Sequence, residues 1–127
     1  MTDDLEVPRI RWWQWLPRRR YAIVCTAPAA DLIPIRLPRK GIALADGGSG
    51  PSWIAFDCPC RRHHRLLISL SDHIQPRWRL SGGPRPSLHP SVDVVEDGRR
   101  CHFWLRNGKI EWAGTAHERR RMKYGRG

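Results

Sequence analysis

Cysteine and histidine side chains crowd two short stretches of this 127-residue chain. The segment Cys58-Pro-Cys-Arg-Arg-His-His64 holds four of them, and Cys101-His102 adds two more. Zinc prefers four sulfur and nitrogen ligands at the corners of a tetrahedron. Because Pro59 stiffens the link between Cys58 and Cys60, both sulfurs can face one point. The spacing predicts a zinc site, and the alternative is a pair of buried thiols beside solvated histidines.

Strand parity decides which ligand the second stretch supplies. Successive side chains of a strand point to opposite faces, so Cys101 and His102 do not readily bind the same metal ion. Cys101 shares the apolar face with Phe103 and Leu105 and is assigned to the metal. The predicted ligands are Cys58, Cys60, Cys101 and either His64 or His63, of which His64 is preferred. The remaining cysteine, Cys25, is expected to pack in the core.

A predicted hairpin over residues 91–106 brings a second set of reactive side chains together. Asp97-Gly98 is a strong signal for a two-residue turn, which sets Asp93 opposite His102. The side chains that then point inward are apolar: Val92, Val94, Cys101 and Phe103. The other face carries Ser91, Asp93, His102 and Trp104, with Ser91 opposite Trp104 and diagonal neighbours about 7–8 Å apart.

This face holds the groups that a serine hydrolase needs. A serine hydroxyl becomes a good nucleophile when a histidine takes its proton, and Ser91 and His102 fit those roles. A carboxylate, from Asp93 or Asp57, would orient the imidazole and stabilise its charged form. Gly82-Gly83 is a candidate source of backbone amides for an oxyanion. On parity alone, the alternative is a set of ordinary polar residues on a solvated face.

The order of these motifs resembles a family of small bacterial proteins. The similarity runs from about Leu37 to Trp112, and its specific parts are Cys58-Pro-Cys60, Pro90-Ser91 and His102-Phe-Trp-Leu. Members of the family are often encoded beside bacterial ubiquitin-like conjugation genes. The family has been proposed to consist of zinc-containing serine peptidases that process or remove the ubiquitin-like protein.

The resemblance implies roles for matching positions. Cys58 and Cys60 correspond to metal ligands, Ser91 to the nucleophile and His102 to the base. It also implies a structural Zn²⁺, a ubiquitin-like protein whose C-terminal tail is the substrate, and conjugation enzymes of the same operon as further partners. Many relatives read Cys-Pro-Cys-Gly-Cys-Gly where Arg61-Arg-His-His64 stands, so His64 or His63 must supply the third ligand.

The elements that must position these residues are short. Eleven glycines and eleven prolines divide the chain, and no helix is compelling. The segments predicted as strands are 21–25, 41–45, 53–57, 65–70, 77–80, 91–95, 101–106 and 109–112. We expect a mainly β, small single domain of antiparallel hairpins with little helix, stabilised by zinc over residues 21–116. Residues 1–20 form a basic, Trp-rich segment and residues 117–127 a basic tail.

The chain carries a formal net charge of +11, which fits a partner with an acidic surface. Arginines crowd both ends and are read as solvated arms or as a docking surface. The segment Ile10-Arg-Trp-Trp-Gln-Trp-Leu16 fits stacking on nucleic-acid bases or contact with an anionic surface. The alternative is that its Trp side chains cover the core.

Three functions follow, in order of preference. The first is a zinc-stabilised serine peptidase that matures a ubiquitin-like protein or releases it from conjugates. The second is a non-catalytic zinc module that binds nucleic acid or a conjugation partner through its basic ends. The third is a hydrolase with zinc as the catalytic centre. The sequence predicts no signal peptide, no membrane partner and a cytoplasmic location, where cysteines serve metals rather than disulfides.

Overall fold

The computed structural model describes residues 7–60, 64–75, 77–96 and 98–113, and these form two four-stranded sheets. The strands are β1 Ala22–Ala27, β2 Gly41–Asp46, β3 Pro51–Asp57, β4 Arg65–Ser69, β5 Arg79–Ser81, β6 Ser87–Glu96, β7 Arg99–Arg106 and β8 Lys109–Trp112. Two short 3₁₀ turns span Trp12–Trp15 and Ala30–Leu32. The prediction of a small, mainly β domain with little helix is confirmed. The predicted tail, 117–127, lies outside the described residues.

The first sheet has the strand order β1-β2-β3-β4. Strands β2, β3 and β4 pair antiparallel, with Phe56 of β3 opposite Ile42 on one side and Leu66 on the other. Strand β1 instead pairs parallel to β2, which differs from a fold built of hairpins alone. A parallel pair needs a crossover connection, and the proline-rich segment 28–40 provides it.

The second sheet, β5-β6-β7-β8, is an antiparallel meander. Glu96 pairs with Arg99 across two residues, as the Asp97-Gly98 signal predicts, although Asp97 itself lies outside the described residues. Strand β6 is longer than predicted and extends back to Ser87 because β5 pairs with its first residues. The second turn holds Asn107 and Gly108 at positive φ, 50° and 78°, as expected for a tight hairpin.

One apolar core draws side chains from both sheets. Phe56 of the first sheet and Phe103 of the second are fully buried, with their rings edge to face and centroids 6.3 Å apart. Burial of such a ring contributes about 1.5–3 kcal/mol. Cys58, Cys60 and Cys101 are buried in the same cluster, so the core closes around the predicted metal ligands.

The Trp-rich segment does not cover this core. Trp12, Trp13 and Trp15 are 73%, 47% and 42% exposed, so the interpretation that they complete the core is wrong. The segment packs through Ile10 instead, against the small cluster of Leu37, Ala43 and Ala55. The tryptophans are therefore left on the surface.

No helix in the described ranges is long and apolar enough to cross a membrane.

Candidate active site and metal site

The hydroxyl of Ser91 and the imidazole of His102 meet on the solvent-facing side of the second sheet. Ser91 Oγ lies 2.9 Å from His102 Nε2, which is a hydrogen-bonding distance for a nucleophile and its base. Both side chains are half-buried. Solvent and an extended substrate can therefore reach the pair, while the neighbouring strands hold it in place.

The hairpin register places these residues. Asp93 pairs with His102 and Val92 with Phe103, as the two-residue turn predicts. The ladder is interrupted between Leu88 and Val92, so Ser91 lies in an irregular stretch instead of the predicted regular pair with Trp104. Even so, the expected parity holds, because Val92 and Phe103 are fully buried while Ser91 and His102 lie on the other face.

Asp93 lies directly across from His102, but its carboxylate binds an arginine. Arg100 Nε and Nη2 donate hydrogen bonds of 2.8 and 2.7 Å to the two oxygens of Asp93. These bonds, together with the nearby His102, lower the pKa of Asp93 against a smaller opposing effect of burial. Arg100 was missed in the sequence analysis, although its two-residue spacing from His102 placed it on the same face.

The other two groups considered for catalysis lie elsewhere. Asp57 ends strand β3 of the first sheet, where its carboxylate accepts a 2.9 Å hydrogen bond from Arg65. Gly82-Gly83 lies in the β5–β6 turn, beyond the pair of Ser81 and Ser87. The suggestion that these glycines hold an oxyanion beside Ser91 stays a prediction.

Trp104 adds an aromatic surface beside the dyad. It follows His102 by two residues and so shares its face of strand β7. The Arg106 guanidinium lies 4.6 Å from the Trp104 ring centroid, and Arg106 also donates a 3.2 Å hydrogen bond to Glu111. These contacts hold the indole on the face of strand β7 that also carries His102.

On the inner side of the sheet, four ligand atoms converge. The sulfurs of Cys58, Cys60 and Cys101 and a ring nitrogen of His64 all lie within 4.8 Å of one another. Cys60 Sγ is 3.5 Å from His64 Nδ1. In a tetrahedral zinc site with the usual bond lengths, a sulfur and a nitrogen ligand are about 3.5 Å apart, so the set fits one metal ion. The alternative histidine, His63, lies outside the described residues.

The chemistry of the cluster also fits a cation. Burial raises the pKa of the Cys58 thiol, and its neighbours Cys101 and Cys60 raise it further because three thiolates would repel one another. A raised pKa favours the protonated thiol. A divalent cation would favour the thiolate instead, since it neutralises the negative charge of the sulfurs that coordinate it. By contrast, Cys25 is half-buried beside the Ile10 cluster, where burial raises the pKa of its thiol.

Comparison with known proteins adds one finding. The model of a family described as bacterial ubiquitination-like system serine protease (BubE) matches residues 29–113. This range contains both the Ser91–His102 pair and the Cys₃His cluster. No curated protein and no solved structure gives a significant match.

Proposed function

The chain belongs to the bacterial ubiquitination-like system serine protease family, and on that premise we propose that Ser91 is its nucleophile and His102 its general base. The single observation that carries this proposal is the 2.9 Å distance between Ser91 Oγ and His102 Nε2. A serine protease needs one serine whose hydroxyl contacts a base, and this serine lies within the residues that the family model matches.

The reaction follows from that contact. His102 Nε2 accepts the proton of the Ser91 hydroxyl while Oγ attacks the carbonyl carbon of the scissile bond. The resulting tetrahedral intermediate collapses when the imidazolium gives its proton to the leaving group, which leaves an acyl ester on Ser91. Water, activated by the same imidazole, then hydrolyses the ester and restores the hydroxyl. His102 thus moves one proton in each half of the reaction.

In this proposal, the negative charge of Asp93 acts on His102 electrostatically. Both of its oxygens accept hydrogen bonds from Arg100, so the carboxylate is held ionised opposite the imidazole. A fixed negative charge there stabilises the imidazolium that forms during attack. Because Arg100 carries a compensating positive charge, we expect the contribution of Asp93 to be much smaller than that of Ser91 or His102.

The Cys₃His cluster has a structural role in the proposal. Cys58, Cys60, His64 and Cys101 supply four ligands, which complete a tetrahedron and leave no position for a catalytic water. Zinc is the metal that this donor set favours. When bound, it would tie the β3–β4 connection to strand β7 and so hold His102 in register with Ser91.

The proposed substrate is the C-terminal tail of a ubiquitin-like protein of the same system. An extended tail suits the site because the reactive hydroxyl lies on the open face of a sheet, and strand parity places Trp104 on that same face. Cleavage after the C-terminal tail would convert a precursor into the mature ubiquitin-like protein. Cleavage of a conjugate would release the ubiquitin-like protein from its target. The rival function, a non-catalytic zinc module that binds nucleic acid or a conjugation partner, needs no contact between Ser91 and His102.

The test compares the wild-type protein with Ser91→Ala. Each is incubated with the ubiquitin-like protein encoded with it, carrying a short C-terminal extension, and the intact mass of the products is followed. We expect cleavage by wild type and none above background by Ser91→Ala. Ser87→Ala is the matched control: Ser87 lies on the same strand, but its hydroxyl accepts a 2.9 Å hydrogen bond from the Asn107 amide.

The control should lose about 1 kcal/mol of stability and keep its cleavage activity. Cleavage by Ser91→Ala at the wild-type rate would exclude Ser91 as the nucleophile. Absence of cleavage by all three folded, metal-loaded proteins would favour the non-catalytic module.

A further inference from the structure

Two adjoining basic grooves lie away from the Ser91–His102 pair. The first, here called the Tyr21 groove, has a volume of about 640 Å³ and is lined by Arg19, Arg39, Lys40 and Lys109 with the aromatic rings of Tyr21 and Trp112. Its acidic lining residue is Asp57, which already pairs with Arg65 at 2.9 Å. The groove therefore has an excess of positive charge, whereas the Tyr21 ring is buried in the core and leaves the stacking surface to the second groove.

The second groove, here called the Trp13 groove, has a volume of about 580 Å³. Four arginines line it, Arg18, Arg19, Arg20 and Arg85, together with Trp13 and other apolar side chains. No acidic residue is among its lining residues. The Trp13 ring is 47% exposed and has the Arg11 guanidinium 5.3 Å from its centroid.

The grooves are neighbours and share one lining residue. Arg19 lines both, and Gly108 of the Tyr21 groove approaches the arginines of the Trp13 groove closely. A β-carbon placed on Gly108 would lie 3.1 Å from Cβ of Arg20 and 3.3 Å from Cβ of Arg85. The Gly108 backbone thus packs between the two grooves, and an extended ligand that follows the surface past Arg19 would reach both.

The arginine run is held against the domain. The Tyr21 amide donates a 2.8 Å hydrogen bond to the Gly108 carbonyl, and the Lys40 ammonium donates a 3.1 Å bond to the Arg19 carbonyl. These contacts fix the backbone on both sides of Arg20. The backbone of residues 18–20 is thus held against the domain, while the side chains of Arg19 and Arg20 are exposed to solvent and to a ligand.

We propose that the Tyr21 and Trp13 grooves bind single-stranded nucleic acid, as a site separate from the protease centre. Cationic grooves that follow a phosphate backbone, with aromatic rings on which bases stack, are the usual means of such binding. A bilayer would contact protruding side chains rather than cations that line concave grooves. An acidic polypeptide would use the charges but has no bases to stack on Trp13. Trp13 and Arg18–Arg20 also lie outside the residues that the family model matches, 29–113.

The test measures fluorescence anisotropy of a labelled oligodeoxythymidylate of about 16 nucleotides as salt is raised from about 50 to 200 mM. Each phosphate contact adds about 0.7 to the slope of log affinity against log salt for a single strand. Arg20→Ala/Arg85→Ala should therefore bind more weakly and flatten the slope by about 1.4. The matched control, Arg77→Ala/Arg79→Ala, removes the same charge outside both grooves and should keep the wild-type slope.

A second variant tests the aromatic part. Trp13→Ala should weaken binding by about 5- to 150-fold, and Trp13→Phe should restore most of it. Ser91→Ala should bind the oligonucleotide like wild type whether or not it retains cleavage activity. The binding assay therefore tests the groove proposal, and the cleavage assay tests the protease proposal independently.

Three results would overturn the nucleic-acid proposal. One is the absence of oligonucleotide binding at about 50 mM salt. Another is a slope of log affinity against log salt that falls equally in Arg20→Ala/Arg85→Ala and in the control Arg77→Ala/Arg79→Ala. The third is tighter binding to an equal-length duplex or to phosphatidylglycerol vesicles than to the single strand, which would assign the surface to that ligand.

Discussion

Cys101 and His102 are consecutive residues of strand β7, yet they contribute to two different sites on opposite faces of one sheet. The Cys101 sulfur is buried in the Cys₃His cluster, whereas the His102 imidazole lies 2.9 Å from the Ser91 hydroxyl. A single backbone step therefore joins the candidate metal site to the candidate active site. Any displacement of Cys101 must move His102 relative to Ser91.

The first prediction separates the two roles by substitution. His102→Ala should abolish cleavage and retain one metal ion per chain, because His102 faces away from the cluster. Cys101→Ala should lose metal and cleavage together. Metal content is measured by mass spectrometry of the purified proteins, and cleavage by intact mass. Loss of metal from a folded His102→Ala protein would contradict this separation.

The second prediction concerns the metal itself. Removal of zinc with a chelator should unfold the domain, because a structural zinc contributes on the order of 10 kcal/mol. Melting followed by circular dichroism detects the change, and added zinc should restore both fold and cleavage. His64→Ala should weaken zinc binding at least tenfold, whereas the exposed His73→Ala should not. A chelated protein that stays folded but inactive would favour a catalytic metal instead.

The third prediction is a pH dependence of stability that arises from Asp93. Hydrogen bonds from Arg100 lower the pKa of this carboxyl in the folded state. Its stabilising contribution is therefore complete above the unfolded pKa of about 3.9 and is lost as pH falls through the lower folded value. Because the Asp93 side chain is 42% exposed, the effect should stay below about 1 kcal/mol.

Urea unfolding at several pH values measures this contribution. Asp93→Asn should remove the part of the loss of unfolding free energy at low pH that arises from Asp93. It should reduce kcat far less than Ser91→Ala does. Asp72→Asn is the matched control, because Asp72 pairs with Arg77 at 2.9 Å on the surface away from the dyad. A kcat loss in Asp93→Asn as large as in Ser91→Ala would place Asp93 in the catalytic group directly.

The fourth prediction tests the junction of the two sheets. Gly108 has a φ of 78°, and a side chain there would collide with the Tyr21 carbonyl. Gly108→Ala should therefore lower the free energy of unfolding by at least about 2 kcal/mol. Gly83→Ala serves as control, because nothing lies within 4 Å of its β-carbon position. Equal melting temperatures for the two variants would show that the contact at Gly108 is dispensable.

Much of the site could be predicted because it depends on strand parity and one turn. The Asp97-Gly98 turn sets the register, and the register places Asp93 opposite His102. Alternation then separates Cys101 from His102. The same reasoning did not identify the ion pair of Arg100 with Asp93, since nothing in the alternation says which long side chain bends towards which neighbour.

Other features depend on contacts distant in sequence. The parallel pairing of β1 with β2 cannot be inferred from strand periodicity, which is the same for both directions. The exposure of Trp12 and the partial burial of Ile10 depend on which part of the domain lies beneath each side chain.

The sequence by itself determined strands β7 and β8, the two hairpin turns beside them and the face on which each reactive side chain lies, but not the full length of β6. These properties are local, since they depend on the two-residue period of a strand and on turn residues that tolerate positive φ. Tertiary structure decided which ligands converge, that Asp57 pairs with Arg65 in the first sheet, and that the N-terminal arginines line grooves. Those outcomes depend on how the two sheets pack, and packing joins residues that no local pattern relates.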